Sequence, residues 1–204
     1  MRKFIVAAAA ATVALGAAAP AFAQDQVNAP FTGVRIEALA GWDHANVESN
    51  GIGGKKDGFA YGGAVGYDVE RSGAVLGIEG EVTGSTAKQN AYNLQVAGDH
   101  ARLSAGRDLY IGGRIGFPVT PTTLLYVKGG YTNARVGIDY DSSVLSLRDH
   151  RNLDGYRVGA GVEHRMPHNT YVKAEYRYSN YSHDDQNNLD LERHQILAGV
   201  GMRF

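Results

Sequence analysis

Apolar and polar side chains alternate with a period of two in eight separate stretches of this chain, at about 32–43, 59–69, 75–83, 103–117, 124–133, 155–166, 170–181 and 191–204. In the first, Val34, Ile36, Ala38, Ala40 and Trp42 share one register, and Arg35, Glu37, Leu39, Gly41 and Asp43 the other. In the last, Ile196, Ala198, Val200, Met202 and Phe204 oppose Arg193, Gln195, Leu197, Gly199, Gly201 and Arg203. Successive side chains of a strand point to opposite sides of a sheet, so each stretch predicts a strand with one apolar and one polar face. Beyond Asn133 the apolar positions shift to Ala134, Val136 and Ile138, which predicts a bulge or a protruding hairpin arm.

The connections alternate as well. Ala45–Asp57, Gly84–Ala101, Asp139–Leu153 and Ser182–Asp190 are long and polar, whereas Glu70–Ala74, Pro118–Thr123 and Pro167-His168-Asn169 are tight. Antiparallel strands joined in this way put every long loop on one rim and every short turn on the other. Aromatics on the apolar register follow the same geometry. Trp42, Phe59, Tyr61, Tyr131, Tyr156 and Tyr178 fall toward the long-loop rim, and Tyr67, Phe117 and Phe204 toward the short-turn rim. Two such girdles suit two water–lipid interfaces, where amphipathic rings are best solvated. The fold expected is all-β: an eight-stranded antiparallel up-and-down transmembrane β-barrel.

Composition sharpens this picture at the ends. Met1-Arg2-Lys3, the apolar run 4–19 and Pro20-Ala21-Phe22-Ala23 read as a cleaved secretory signal, residues 1–23. Residues 24–30 then form a short leader and 31–204 the barrel. The run 4–19 is shorter than the ~20 apolar residues of a membrane-spanning helix. The chain carries 20 Lys and Arg against 21 Asp and Glu, a balance that gives no footprint for nucleic acid. It has no cysteine, which excludes disulfides and thiol chemistry. Its 27 glycines and 12 tyrosines favour sheet over helix.

A soluble barrel also alternates, but with its apolar face inside. Here the middle of the apolar register is free of charge; Arg107, His164 and His194 are the ionisable exceptions, all near strand ends. Arg or Lys on a lipid face costs roughly 2–4 kcal/mol at the midplane, so a clean stripe fits lipid better than water. From about Phe31 onward the chain resembles the small outer-membrane β-barrels that include opacity-type surface proteins and the barrel half of OmpA. Gly77-Ile78-Glu79-Gly80-Glu81-Val82, Gly112-Gly113-Arg114-Ile115-Gly116 and Tyr126-Val127-Lys128-Gly129-Gly130-Tyr131-Thr132 carry the resemblance. So do Glu175-Tyr176-Arg177-Tyr178 and residues 194–204. It implies a Gram-negative outer-membrane location, no peptidoglycan-binding activity, and a structural or adhesive surface protein. It further implies that the closing strand, through Ile196, Ala198, Val200, Met202 and Phe204, is the signal read by the barrel-assembly machinery. Periplasmic chaperones, outer-membrane lipid and lipopolysaccharide, and a host or phage surface ligand are the partners it suggests.

Eight strands leave an interior just wide enough for side chains to fill. The polar register would supply them: Arg35, Glu37, Asp68, Glu79, Glu81 and Arg114 from the first half, and Lys128, Arg157, Glu163, Lys173, Glu175, Arg177 and Arg193 from the second. Isolated buried charges are expensive, so these should pair across the lumen. Glu37, Glu79, Arg114, Lys128 and Glu175, near mid-strand, are the expected central cluster. A plugged barrel is the primary reading, a narrow porin-like channel the first alternative and a lipid-modifying enzyme the second. Outer-membrane lipid A deacylases carry a His-x-Ser pair, and none of the seven histidines has Ser two residues later. No catalytic residue and no cofactor is expected. Nor do the histidines show ligand spacing along the chain, so no metal is expected; His183-Asp184-Asp185 is the nearest approach to a site. Gly51-Ile52-Gly53-Gly54 lacks the context of a phosphate loop and reads as a loop tip.

Overall fold

The computed structural model describes residues 29–49, 52–86, 88–92, 100–141, 146–182 and 189–204. Nine strands follow in chain order: β1 Gly33–Ser49, β2 Ile52–Arg71, β3 Ala74–Ser85, β4 Lys88–Tyr92, β5 His100–Thr120, β6 Thr123–Asp141, β7 Ser146–Arg165, β8 Thr170–Ser182 and β9 Leu189–Arg203. Each pairs antiparallel with its neighbours, β9 pairs with β1, and β3 pairs with β5 to close the sheet. β4 adds no ninth position to the barrel. It continues the line of β3 along β5, which pairs with β3 from Asp108 to Gly116 and with β4 from His100 to Ser104. The result is a closed eight-stranded up-and-down barrel.

Its side chains are distributed inside out relative to a water-soluble protein. Ile36, Ile78, Val127 and Val200 are 55, 60, 52 and 54 % exposed, while Glu79 and Lys128 are 3 and 4 % exposed. Because the pleat alternates, this one assignment fixes the facing of every other residue on those strands. Phe204, Phe117, Tyr61, Tyr131, Tyr156, Phe59 and Trp42 are exposed on the outer wall, and Tyr67 and Tyr178 partly so. Tyr176, which the sequence reading left out of the girdle, joins them.

The polar connections are not the loops expected. Ala45–Ser49 pairs with Ile52–Lys56, and His100–Ala105 with Val136–Asp141, which itself pairs with Ser146–Arg151. Ile52, Gly53 and Gly54, expected in a loop tip, open β2. Polarity on both faces signals water on both sides, and backbone pairing continues through such stretches as readily as through apolar ones. The 20 residues of β2 extend about 68 Å at ~3.4 Å each. Tilted by ~45°, they rise about 48 Å, roughly twice the ~25 Å apolar band of a transmembrane barrel. Long hairpin arms therefore stand clear of that band at one rim.

The register slip predicted at Asn133 also falls elsewhere. β6 pairs with β7 without interruption, and Thr132 and Ala134 are both buried. The irregularity sits on β5, between Ala105 and Asp108, opposite Ala134–Val136 and beside the break between β3 and β4. Ala134 is apolar because the inner wall itself changes there. With Leu153 and Tyr181, and Leu191 packed against them, it forms an apolar cluster inside the arm end of the barrel.

At the opposite rim the turns are tight. Ser72 and Gly73 both have positive φ, 54° and 79°, as a two-residue hairpin turn of the favoured hand requires. His168 and Asn169 do the same between β7 and β8. Phe31 enters this end, fully buried, and packs on Val75 and Leu124. Its N–H donates to Glu70 Oε2 at 3.0 Å, and its carbonyl accepts from Arg203 Nη1 at 2.5 Å. The expected signal, 1–23, and most of the leader lie outside the described residues, as do His183-Asp184-Asp185 and Gly51.

Candidate functional site: the charged lumen

Between the two apolar clusters the lumen holds, among the described residues, eight carboxylates and eight cationic side chains, all buried. Every charged residue expected there from the polar register is among them. They form three layers, and each layer has as many acids as bases.

Nearest the short turns, Asp68 and Glu163 alternate with Arg114 and Arg203. Arg114 grips Asp68 with two parallel bonds of 2.9 and 2.5 Å and reaches Glu163 at 3.1 Å. Arg203 donates to the same two acids, at 2.6 Å each. Two guanidinium forks thus close a ring with two carboxylates, the bidentate geometry that favours arginine over lysine in buried pairs. Arg114 was expected in the central cluster. Its side chain instead runs toward the short turns, crossing the face of Tyr126 with Cζ 5.0 Å from the ring centroid.

The middle layer sets Glu37, Glu79, Glu81 and Glu175 against Arg35, Lys128, Lys173 and Arg177. Lys128 Nζ lies 2.7 Å from Glu79 and 3.0 Å from Glu175, and also bonds Glu81. Lys173 Nζ joins Glu37 at 2.8 Å to Glu175 at 3.2 Å. Arg35 bonds Glu37 at 3.0 Å and Glu79, and its Nε reaches down to Asp68 at 3.2 Å. Arg177 bonds Glu81. Tyr171 and Tyr126 hydroxyls donate to Glu37 and Glu175 at 2.9 and 2.7 Å. Carboxylate oxygens of Glu37, Glu79 and Glu81 come within 4.8 Å of one another, a spacing a metal ion could use. The cations wedged between them already balance that charge, and the cluster reads as part of an ionic core.

Toward the arms, Asp43 and Asp108 meet Arg193 and Arg157. Arg193 bonds Asp43 twice, at 2.7 and 2.5 Å, and Asp108 at 3.0 Å. Arg157 bonds Asp108 at 2.5 Å and Ser179 at 2.8 Å, and lies 3.4 Å from Glu81, tying this layer to the middle one. Thr132 and Tyr181 hydroxyls complete Asp108, at 2.7 Å each.

Asp43, Asp108 and Arg203 join the expected residues, as strand parity places all three inside. The tyrosines were the omission. Tyr110, Tyr126, Tyr171 and Tyr181 point inward, and alternation gave them away only once the facing of each strand was fixed. Tyr126 stands directly opposite Gly161, and Tyr171 opposite Gly201. A Cβ at Gly161 would lie 2.6 Å from the Tyr126 hydroxyl, so glycine is what lets that ring lie flat on the wall.

The outer wall carries its own polar row just beyond the arm-side girdle. Trp42 Nε1 donates to Asp57 at 3.2 Å, Tyr131 to Asp154 at 2.5 Å and Tyr178 to Glu192 at 2.9 Å. Each indole or phenol buries its ring in the apolar band and aims its polar atom at a carboxylate above it. Asp57 is held below the usual carboxylate range by the hydrogen bonds it receives from His44 and then Trp42.

A closed sheet, apolar outside and ionic within, defines a transmembrane β-barrel with a packed core. The chain belongs to the outer membrane protein beta-barrel domain family, whose model matches residues 7–204. It is an outer-membrane protein. It is 26 % identical over 175 residues to the 25 kDa outer-membrane immunogenic protein of Brucella canis, covering 80 % of this chain and 74 % of that one. To the 22 kDa outer membrane protein of Rhizobium leguminosarum bv. viciae it is 28 % identical over 160 residues, covering 72 and 67 %. Among solved structures it shares its fold with Neisserial surface protein A, at a TM-score of 0.55 and 17 % identity over 85 % of this chain and 98 % of that one.

Proposed function

We propose that this protein is a sealed structural barrel that anchors hairpin arms on the outside of the cell. The observation that carries the reading is the neutral, fully buried ionic core closed at both ends by apolar clusters. An ion entering it would have to break pairs in three successive layers. That arrangement favours a plug over the narrow channel that the charged register alone also allowed.

The arms are the parts left for contact with other molecules, since binding residues concentrate on segments held by a rigid scaffold. That the Brucella relatives are named immunogenic supports their display at the surface, as adhesive or antigenic elements facing a host or phage. The aromatic girdles would seat the barrel in outer-membrane lipid and lipopolysaccharide. Ile196, Ala198, Val200 and Met202, exposed along β9, and Phe204 just after it form the face that periplasmic chaperones and the assembly machinery would read.

Conductance tests the reading. The purified, refolded barrel in a planar lipid bilayer should give no stable current steps. Steady unitary steps that change size when Lys128 is replaced by Met would overturn the sealed-lumen function in favour of a pore.

A further inference from the structure

Along the chain His44 and His194 are 150 residues apart, and spacing alone assigned neither a ligand role. Register changes this. They are direct cross-strand partners where β1 meets β9. Residues so placed have Cβ atoms about 4.5–5.5 Å apart. Both face the outer wall, immediately above Trp42 and Ile196.

Each imidazole is held from the far side. His44 Nδ1 lies 2.5 Å from Asp57 Oδ1 on β2, and His194 Nδ1 lies 2.8 Å from the Tyr176 hydroxyl on β8. A carboxylate only accepts, so the His44 Nδ1 that meets it is the protonated nitrogen, and Nε2 of the neutral ring keeps the lone pair. Tyr176 can hold His194 in the same tautomer, while the Tyr178 ring, 5.0 Å away, fixes its tilt. The two nitrogens of an imidazole lie on opposite sides of Cε1. With both Nδ1 atoms engaged by β2 and β8, Nε2 is the nitrogen each ring keeps for a metal. A carboxylate or hydroxyl behind each imidazole is the outer-shell arrangement that orients histidines toward a metal.

We infer that His44 and His194 form a surface site for a divalent transition ion of the imidazole-preferring class, Zn²⁺, Cu²⁺ or Ni²⁺, with water completing its coordination. The ion would bridge the first and last strands of the barrel, clamping the seam along which the sheet closes.

The chain's single tryptophan, Trp42, is two residues from His44 and shares Asp57 with it, so it reports on the site. Cu²⁺ titrated into the refolded full barrel in detergent should quench Trp42 saturably at one equivalent in the micromolar range. Zn²⁺, which has a filled d shell and does not quench, should compete and restore the emission. His44→Ala or His194→Ala should each weaken binding at least tenfold, and Asp57→Asn about tenfold, the lower end for loss of an outer-shell partner. His168→Ala, at the other rim, should leave binding unchanged. Zn²⁺ should also raise the urea midpoint of the wild type but not of His44→Ala/His194→Ala. These residues lie on the surface, and gel mobility of the unheated protein verifies that each variant is folded. Quenching that persists in the double variant, or no saturable quenching of the wild type, refutes the site. Neither result bears on whether the lumen conducts.

Discussion

Glu81 is the carboxylate whose removal most directly tests the ionic core. It bonds Lys128 and Arg177, and Arg157 lies 3.4 Å away. Glu81→Gln keeps the shape and removes one negative charge, leaving the middle layer with four cations against three carboxylates. Breaking a buried pair by removing one partner costs about 3–5 kcal/mol, because the other charge stays buried without compensation. A single pair at ~3 Å and an effective dielectric constant of ~20 interacts by about 5 kcal/mol, the same order. Lys128→Met alone removes the cation that Glu79, Glu81 and Glu175 share, leaving three cations against four carboxylates in the layer, and should cost a similar amount. The double variant is neutral again. If layer charge is what matters, it should cost less than the sum of the two single variants, by a coupling of about 2 kcal/mol or more, toward the upper range for contacting residues. Urea unfolding of the barrel in lipid vesicles, followed by Trp42 emission, measures all four corners of the cycle. Costs below ~1 kcal/mol for Glu81→Gln, the level of an exposed ion pair, would show that water screens the lumen and that the core is not sealed. Additive singles would show that charge is not balanced layer by layer.

Two further perturbations follow from the same packing. Gly161→Ala places a methyl 2.6 Å from the Tyr126 hydroxyl and should dislodge it from Glu175, costing about 1–3 kcal/mol by overpacking, whereas Gly129→Ala, on the outer wall with no neighbour closer than 3.8 Å, should be nearly neutral. Urea midpoints of the two variants make the comparison. Phe31→Ala empties the apolar cluster at the short-turn end and should cost about 3–5 kcal/mol. It should also raise the rate at which a small thiol reagent reaches a cysteine put at Leu124; an unchanged rate would mean that Phe31 does not seal that mouth.

The barrel and its facing were legible in the sequence because period-two alternation is a local property, and one exposed Ile or buried Glu fixes a whole strand. The layers were not, because side-chain direction along the barrel axis is set by neighbours far away in sequence. Arg114 and Lys128 are cross-strand partners at one height, yet one fork runs down to Asp68 and the other ammonium stays among the glutamates. Arm length was misjudged for a different reason. Alternation marks a strand only where its two faces see different solvents, and above the membrane both sides of the wall are wet. The pairing of His44 with His194 lay beyond pattern reading too, since it depends on the register with which the last strand closes on the first.

That closure links the core to the arms. The β1–β9 seam joins the two strands most distant in sequence, so it gains least from chain connectivity and most from what crosses it. Inside, Arg203 on β9 holds the carbonyl of Phe31 just before β1 and Arg193 on β9 holds Asp43 on β1, one at each end of the ionic core. Outside, His44 and His194 face each other at the arm end. Along this line the two arginines fasten the sheet from inside its wall at both ends of the ionic core. The proposed function requires the arms above it to vary in sequence or bear load without opening the barrel, and these ties across the closing seam oppose that opening.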